Sequence, residues 1–294
     1  MPLVNFREIL QDATDDRYGV PCLLGGNLEM VVGQIRAAEA CNSPLILAFN
    51  QAVTPDVPMS IGLPMIVNAA REAAVPVATI LDHGMHLEPV VQAIHLGSSS
   101  VMYDGSGLPF EENVRQTAEI VRIAHSVGVG VEAELGGIGG SSLEVGAAGP
   151  EPSFTDPEMA AEFVERTGID ALAVSFGNAH GPYQADPELE LDRVKRIREL
   201  VSIPLVMHGA SGLVDSQYRE IVESGISKIN YYTAMARDAA RDLRDLMLET
   251  EENGLIYHHI IKRSIDFYYQ ETERLLVVLG CAGRIAAGER FRTY

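Results

Sequence analysis

Val77-Ala-Thr-Ile-Leu-Asp-His-Gly84 is the stretch that decides the fold. Val77–Leu81 reads as a strand buried on both faces, because no polar alternation marks a wet side. An acid, a histidine and a glycine follow at once, so the chain leaves the strand on side chains that carry chemistry. The same format recurs along the chain. Apolar runs lie at Gly19–Leu24, Pro44–Phe49, Ser100–Tyr103, Gly130–Glu134, Ala171–Phe176, Pro204–Met207 and Ser227–Asn230. Helical patterns separate them: between Glu111 and Ser126, the residues Val114, Ala118, Val121 and His125 recur on one helical face. Asp215 reads as the N-cap of a helix that stops at Gly225. Eight strands, each followed by a helix, predict an α/β chain folded as a (β/α)8 TIM barrel rather than a doubly wound sheet.

The 294 residues suit one barrel domain spanning 1–294, since such barrels take about 250 residues. A helical extension from about 234 to 294, densest over Ala234–Gly280, exceeds what closing the barrel needs. Part of it is expected to pack on another subunit, in a homodimer or homotetramer. One long gap breaks the rhythm: Gly136 to Pro157, rich in Gly, Ser and Pro, is expected to be a mobile loop after the fifth strand. Loops longer than about 12–15 residues are uncommon unless they carry function.

Composition narrows the function. Hydrophobic residues make up 47% of the chain, but they form no uninterrupted apolar run long enough to span a membrane. The N-terminal MPLVNFREILQDA is amphipathic and acidic early, as a first helix is and a signal peptide is not. The net charge is −19, with lysine only at 195, 228 and 262. Such a surface repels nucleic acid and anionic lipid, so a phosphorylated substrate must be captured by local groups. Cys22, Cys41 and Cys281 form no CxxC pair. Neither a disulfide framework nor a thiolate zinc cluster is expected, and the compartment is expected to be cytoplasmic.

The informative residues stand where the strands end, the face on which barrels build their active sites. There the chain places Asp82-His83-Gly84, Asp104-Gly105-Ser106, Glu132 and Glu134, Asn178-Ala179-His180-Gly181, His208-Gly209-Ala210-Ser211-Gly212 and Asn230-Tyr231-Tyr232-Thr233. A single strand-end histidine is more often a capped core residue than a ligand. Three of them, each followed by glycine with carboxylates between, point to a metal instead. Catalytic zinc takes three protein ligands and keeps one position open. His86, His95, His125, His258 and His259 fall in helices or loops and read as surface or structural. Gly209-Ala210-Ser211-Gly212, with Asn230 and Thr233, offers small residues, amides and hydroxyls after strands seven and eight, where barrels commonly hold phosphate.

Together, DHG at 82–84, DGS at 104–106, VEAELG at 131–136, AHG at 179–181, HGASGL at 208–213 and N-x-x-T at 230–233 resemble the class II ketose-bisphosphate aldolases, the fructose- and tagatose-bisphosphate enzymes among them. The resemblance runs from the first helix to about Ile285. It implies a zinc-dependent lyase that makes or cleaves a carbon–carbon bond between dihydroxyacetone phosphate and an aldehyde, through a metal-stabilised enediolate. It further implies Zn2+ on His83, His180 and His208, with Glu134 at a position that can hold the metal in a buried resting place. Asp82 is implied as acid/base at the hydroxyl of the bond being cut. Gly181, Gly209, Ser211, Asn230 and Thr233 are implied to hold the phosphorylated half. A monovalent cation, Na+ or K+, is implied near Ala179–Gly181 and Gly209.

Departures from the family pattern bear on specificity. Ser141 and Ser142 stand where two loop acids are usual, and Glu144 is the nearest carboxylate, with Glu151 beyond. Leu23-Leu24-Gly25-Gly26 replaces the usual AFN, and Asn50 stands for a substrate-contacting serine. The segment that supplies the distal phosphate's arginine in many relatives reads His258-His259-Ile260, with Lys262 and Arg263 nearby. Three other functions compete. A zinc hydrolase would open with an HxH pair, and the first strand contains no histidine. A non-catalytic, regulatory subunit would fit the missing loop acids. A Schiff-base aldolase has only Lys228 in place and leaves the histidine trio unexplained.

Overall fold

The computed structural model describes residues 3–140, 152–181, 183, 186–250 and 254–285. Eight parallel strands close into a barrel: β1 Val20–Leu24, β2 Leu45–Phe49, β3 Val77–Gly84, β4 Ser100–Tyr103, β5 Gly130–Leu135, β6 Ala171–Val174, β7 Leu205–Met207 and β8 Ile226–Tyr231. Each pairs with its sequence neighbours, and β8 pairs with β1 to complete the ring. The seven connections carry α2 Leu28–Ala40, α3 Met59–Glu72, α4 Leu87–His95, α5 Phe110–His125, α6 Pro157–Thr167, α7 Leu191–Leu200 and α8 Asp215–Ser224. Every strand is buried along almost its whole length, as expected where helices cover the outside and side chains fill the inside.

The helix α1, Phe6–Asp16, packs against β8, β3 and β1, and its Phe6 N–H donates to Ser100 Oγ at the start of β4. Asn5 caps it, accepting from the Arg7 N–H while donating to the Gly128 carbonyl, and Phe6 packs on Gly130. The expected extension is two helices, α9 Thr233–Glu249 and α10 Tyr257–Val278. α10 lies along α2 of the same chain, whereas α9 buries only Thr233, Met235 and Ala239. Among the described residues, no helix is long and apolar enough to cross a membrane.

Three local expectations need correction. Asp215 is the first residue of α8 and not its cap: the cap is Val214, whose N–H is taken by the Gln217 side chain at 2.9 Å. Asp215 instead pairs with Arg274 of α10 at 2.5 Å. The sixth strand ends at Val174, because the Phe176 N–H turns away to the Asn178 side chain at 2.8 Å. Finally, part of the stretch from Gly136 to Pro157 is held in place. Gly139–Gly140 pairs with Ala179–His180, and Gly137 bridges Ser153. Residues 141–151 lie outside the described part of the chain.

Candidate metal centre and active site

β3 runs three residues past its apolar core because the chain bulges. Leu81 pairs with Val101 and Gly84 with Tyr103, so one extra residue is inserted between the pairs. His83 takes the left-handed conformation (φ 51°) to make that bulge, a strained state for a non-glycine residue and one that re-aims its side chain. The ring turns into the barrel mouth. There His83, His180 and His208 meet with ring centroids 4.8, 5.0 and 5.8 Å apart, all three buried.

Neighbouring carboxylates orient two of the rings. His83 Nδ1 lies 2.9 Å from Asp104, which also accepts from the Ser106 hydroxyl and N–H. His83 Nε2 is buried with no hydrogen-bond partner among the described residues. His208 Nε2 lies 2.9 Å from Glu132, which leaves Nδ1 toward the centre. Imidazoles ligating metals characteristically hand their other nitrogen to a carboxylate in this way. One ring nitrogen from each histidine lies within 4.8 Å of the others. The donor set and the orphaned Nε2 therefore fit a metal such as zinc.

Asp82 stands beside this trio. Asn50 donates to one of its oxygens at 3.1 Å and Asn230 to the other at 3.0 Å. Asn50 Oδ1 in turn accepts the Ala52 N–H, so the side chain expected to meet substrate is also a brace for Asp82. A cleft over β1 and β8 opens next to them, lined by Leu24, Ala48, Val53, Asp82, Asn230 and Tyr232.

The expected phosphate residues gather on the other side. Ser211 Oγ accepts the Ala234 N–H in the first turn of α9, so the Gly209–Gly212 loop and a helix N-terminus share one place, with Thr233 beginning that helix. Backbones crowd here. A Cβ on Gly209 would lie 2.3 Å from the Ala179 carbonyl, and one on Gly140 would lie 2.1 Å from that of His180; both glycines have positive φ. Gly181, also at positive φ, follows His180 on the same segment. Tyr183 clasps the two loops, donating to the Gly209 carbonyl at 2.6 Å and accepting the Ala179 N–H.

Comparisons with known proteins identify the family of this fold. The family model "Fructose-bisphosphate aldolase class-II" matches residues 4–284. The chain belongs to that family. The match supports an aldolase, a carbon–carbon lyase, on this barrel. The chain is 42% identical over 238 residues to the protein YdjI of Escherichia coli K12, covering 81% of this chain and 85% of that one. It is 39% identical over 250 residues to a probable fructose-bisphosphate aldolase of Bacillus subtilis, covering 84% and 87%. The crystal structure of the YdjI aldolase superposes with a TM-score of 0.85 at 34% identity, over 97% of this chain and all of that one.

Electrostatics divide the three histidines of this aldolase. Burial works against charge on all of them. For His83 the carboxylates of Asp82, Asp104 and Glu134 outweigh it and lift the pKa to about 10. His180 falls to about 4 through burial and the neighbouring His83, and His208 is pushed well down for the same reasons. Two rings are thus neutral and ready to ligate, in a pocket whose field favours one cation. Burial pushes the Asp82 carboxyl up, but His83, His208, Lys228 and the Asn50 hydrogen bond together hold it below its ordinary value. Asp82 is therefore ionised at neutral pH. Glu134 is raised well above the carboxylate range by burial and then by Asp104. With His83 and Asp104 it forms a second buried group able to hold a metal.

Of the residues expected from the sequence, His83, His180, His208, Asp82, Asn50 and Asn230 meet at one point. Gly209, Ser211 and Thr233 meet at another, and Glu134 groups with His83 and Asp104. Glu144 lies outside the described residues. His86, His95, His258 and His259 are exposed, and His125 pairs with Asp170 at the opposite end of the barrel. Two supporting residues escaped sequence reasoning as to their role, Glu132 and Lys228. Their signal was available: Glu132/Glu134 and Lys228/Asn230 each stand two apart in a strand, and so share its inner face. Lys228 is wholly buried and contacts both Glu132 oxygens, so no free amine is offered for a Schiff base.

Proposed function

We propose that this family member is a zinc-dependent lyase joining or separating dihydroxyacetone phosphate and an aldehyde. The observation that carries the reading is the convergence of three buried imidazoles on a carboxylate held by two amides. His83 through Nε2, His208 through Nδ1 and His180 would hold the metal. When bound, the ion supplies Lewis acidity toward the ketone and neighbouring hydroxyl oxygens of the phosphorylated half.

The chain's own residues do the rest. In cleavage, ionised Asp82 takes the proton of the hydroxyl beside the breaking bond. That C–O becomes the aldehyde carbonyl, and the bond's electron pair passes to the three-carbon fragment as an enediolate. Condensation runs the same steps backwards. Asn50 and Asn230 keep both Asp82 oxygens aimed. Gly181, Gly209, Ser211, Asn230 and Thr233 would bind the phosphate end, with the first turn of α9 adding its N–H groups. Proton exchange at the enediolate carbon falls to Glu144 or Glu151. A monovalent cation near Ala179–Gly181 and Gly209, a homodimer or homotetramer, and a cytoplasmic location belong to the same proposal.

We propose a ketose monophosphate, or a substrate altered at its far end, over fructose 1,6-bisphosphate. The cleft over β1 and β8 presents Leu24 and Val53. Lys262 is engaged by Asp266, and Arg263 by Asp242. A neutral imidazole from His258 or His259 is a poor substitute for a bidentate arginine. The direct test is an aldehyde panel with dihydroxyacetone phosphate and added zinc, reading carbon–carbon bond formation. No product from any aldehyde would overturn the lyase reading.

A further inference from the structure

We propose that Lys228 is a positioning residue, the single cation that sets which atoms of His208 and Asn230 face the reaction zone. It lies on the inner face of β8 opposite Glu132 of β5, and both side chains are wholly buried. An ammonium has three N–H donors and no acceptor. Two are matched by hydrogen bonds, to Glu132 Oε1 at 3.0 Å and Asn230 Oδ1 at 2.8 Å, and Glu132 Oε2 lies 2.8 Å from the nitrogen as an ion-pair contact.

Two consequences follow from donor and acceptor logic alone. Glu132 Oε1 accepts from the ammonium and faces the His208 nitrogen 2.9 Å away, so that nitrogen is placed to donate the ring proton to it. That nitrogen is Nε2, and Nδ1 is left as a bare lone pair toward the site. Asn230 must turn its carbonyl to Lys228, so its amide N–H groups point to Asp82 at 3.0 Å and toward His208 Nδ1 at 3.3 Å. The flipped amide would set a carbonyl against the Asp82 carboxylate and an N–H against an ammonium. One buried charge therefore fixes both a ring tautomer and an amide orientation. Removing the Lys228 ammonium would take away the donor that aims Glu132 Oε1 at His208 Nε2, so the ring would no longer be held with its proton on Nε2 and could carry it on Nδ1, the atom that faces the site.

The inference rests on the proposed role of His208, and the experiment separates the two. The first measurement is 15N NMR of histidine-labelled, metal-free protein, which reports the protonated nitrogen of each ring. The unaltered chain should show His208 as the Nε2–H tautomer; a proton on Nδ1 overturns the proposal with no variant needed. Lys228→Met, checked for native circular dichroism, should move His208 toward Nδ1–H and weaken cobalt binding by about 10–100-fold, as loss of an outer partner does. Glu132→Gln should do the same, because its amide can donate to Nε2. A folded Lys228→Met chain with unchanged tautomer and cobalt affinity overturns the positioning role. If the unaltered chain has the Nε2–H tautomer but binds no cobalt, positioning stands and only the metal reading fails.

Discussion

The two ends of the barrel each hold a histidine–aspartate pair, and the pairs do opposite work. At the closed end, His125 and Asp170 lie 2.8 Å apart with 33% and 10% of their side chains exposed. Asp170 also accepts the Val131 N–H and faces Arg7, so it ties a strand to two helices. At the open end, His83 and Asp104 lie 2.9 Å apart with only 2% of each exposed. There the backbone is strained, and the outer ring nitrogen is left buried without a hydrogen bond. A bonded pair at one end and another that leaves a buried ring nitrogen without a hydrogen bond, beside Glu132 Oε2 and Glu134 Oε2 that lack one too among the described residues, mark where a ligand belongs.

That contrast can be broken by substitution. Asp82→Asn should keep the fold and metal affinity yet lower kcat by about 10²–10⁴-fold, the range for a general acid/base. A variant cleaving ketose phosphate at the parental rate would reduce Asp82 to a support for His83. Exchanging the two aspartates sharpens the comparison further. Asp104→Asn should weaken metal affinity by about 10–100-fold, measured by competition with a chelator. Asp170→Asn should leave that affinity unchanged and lower unfolding free energy by about 1–3 kcal/mol. The reverse pattern would erase the distinction between the two ends.

Specificity carries a smaller effect. Ketose 1-phosphates should be used at least as well as the two bisphosphates. A preference of about tenfold or more in kcat/KM for a bisphosphate, some 1.4 kcal/mol, would mean that another group supplies the distal cation. Smaller still is a proton count. His83 in the metal-free chain holds its proton up to about pH 10, whereas His180, at about 4, and His208 are already neutral. A ligand must be deprotonated, so metal binding at pH 7–8 should release about one proton, and affinity should rise with pH until His83 titrates. Calorimetry in buffers of differing ionisation enthalpy reads this; no proton released would place the charge elsewhere.

The barrel was legible because strands buried on both faces announce themselves as apolar runs. Ser100–Tyr103 was placed to the residue, and all eight barrel strands were anticipated, though not the short pair Gly139–Gly140 and Ala179–His180. The histidine trio was legible because strand ends in a barrel share one ring of space. The continuation of β3 through Gly84 was not, since it depends on His83 adopting a left-handed conformation that no residue type announces. Nor was the role of Glu132 and Lys228, because two charges in separate strands become a pair only once the barrel closes. The end of β6 was overrun for a related reason: Ser175 and Phe176 look like strand, and only the Asn178 side chain turns the chain away.

The central claim is that the three strand-end histidines hold a catalytic metal. The most direct test is zinc content and aldol cleavage measured on one preparation, before and after chelation and after zinc or cobalt is restored. The account predicts about one zinc per chain, bound by nitrogen at about 2.0–2.1 Å, with activity lost on chelation and regained on addition. Full activity in a metal-free preparation would contradict it.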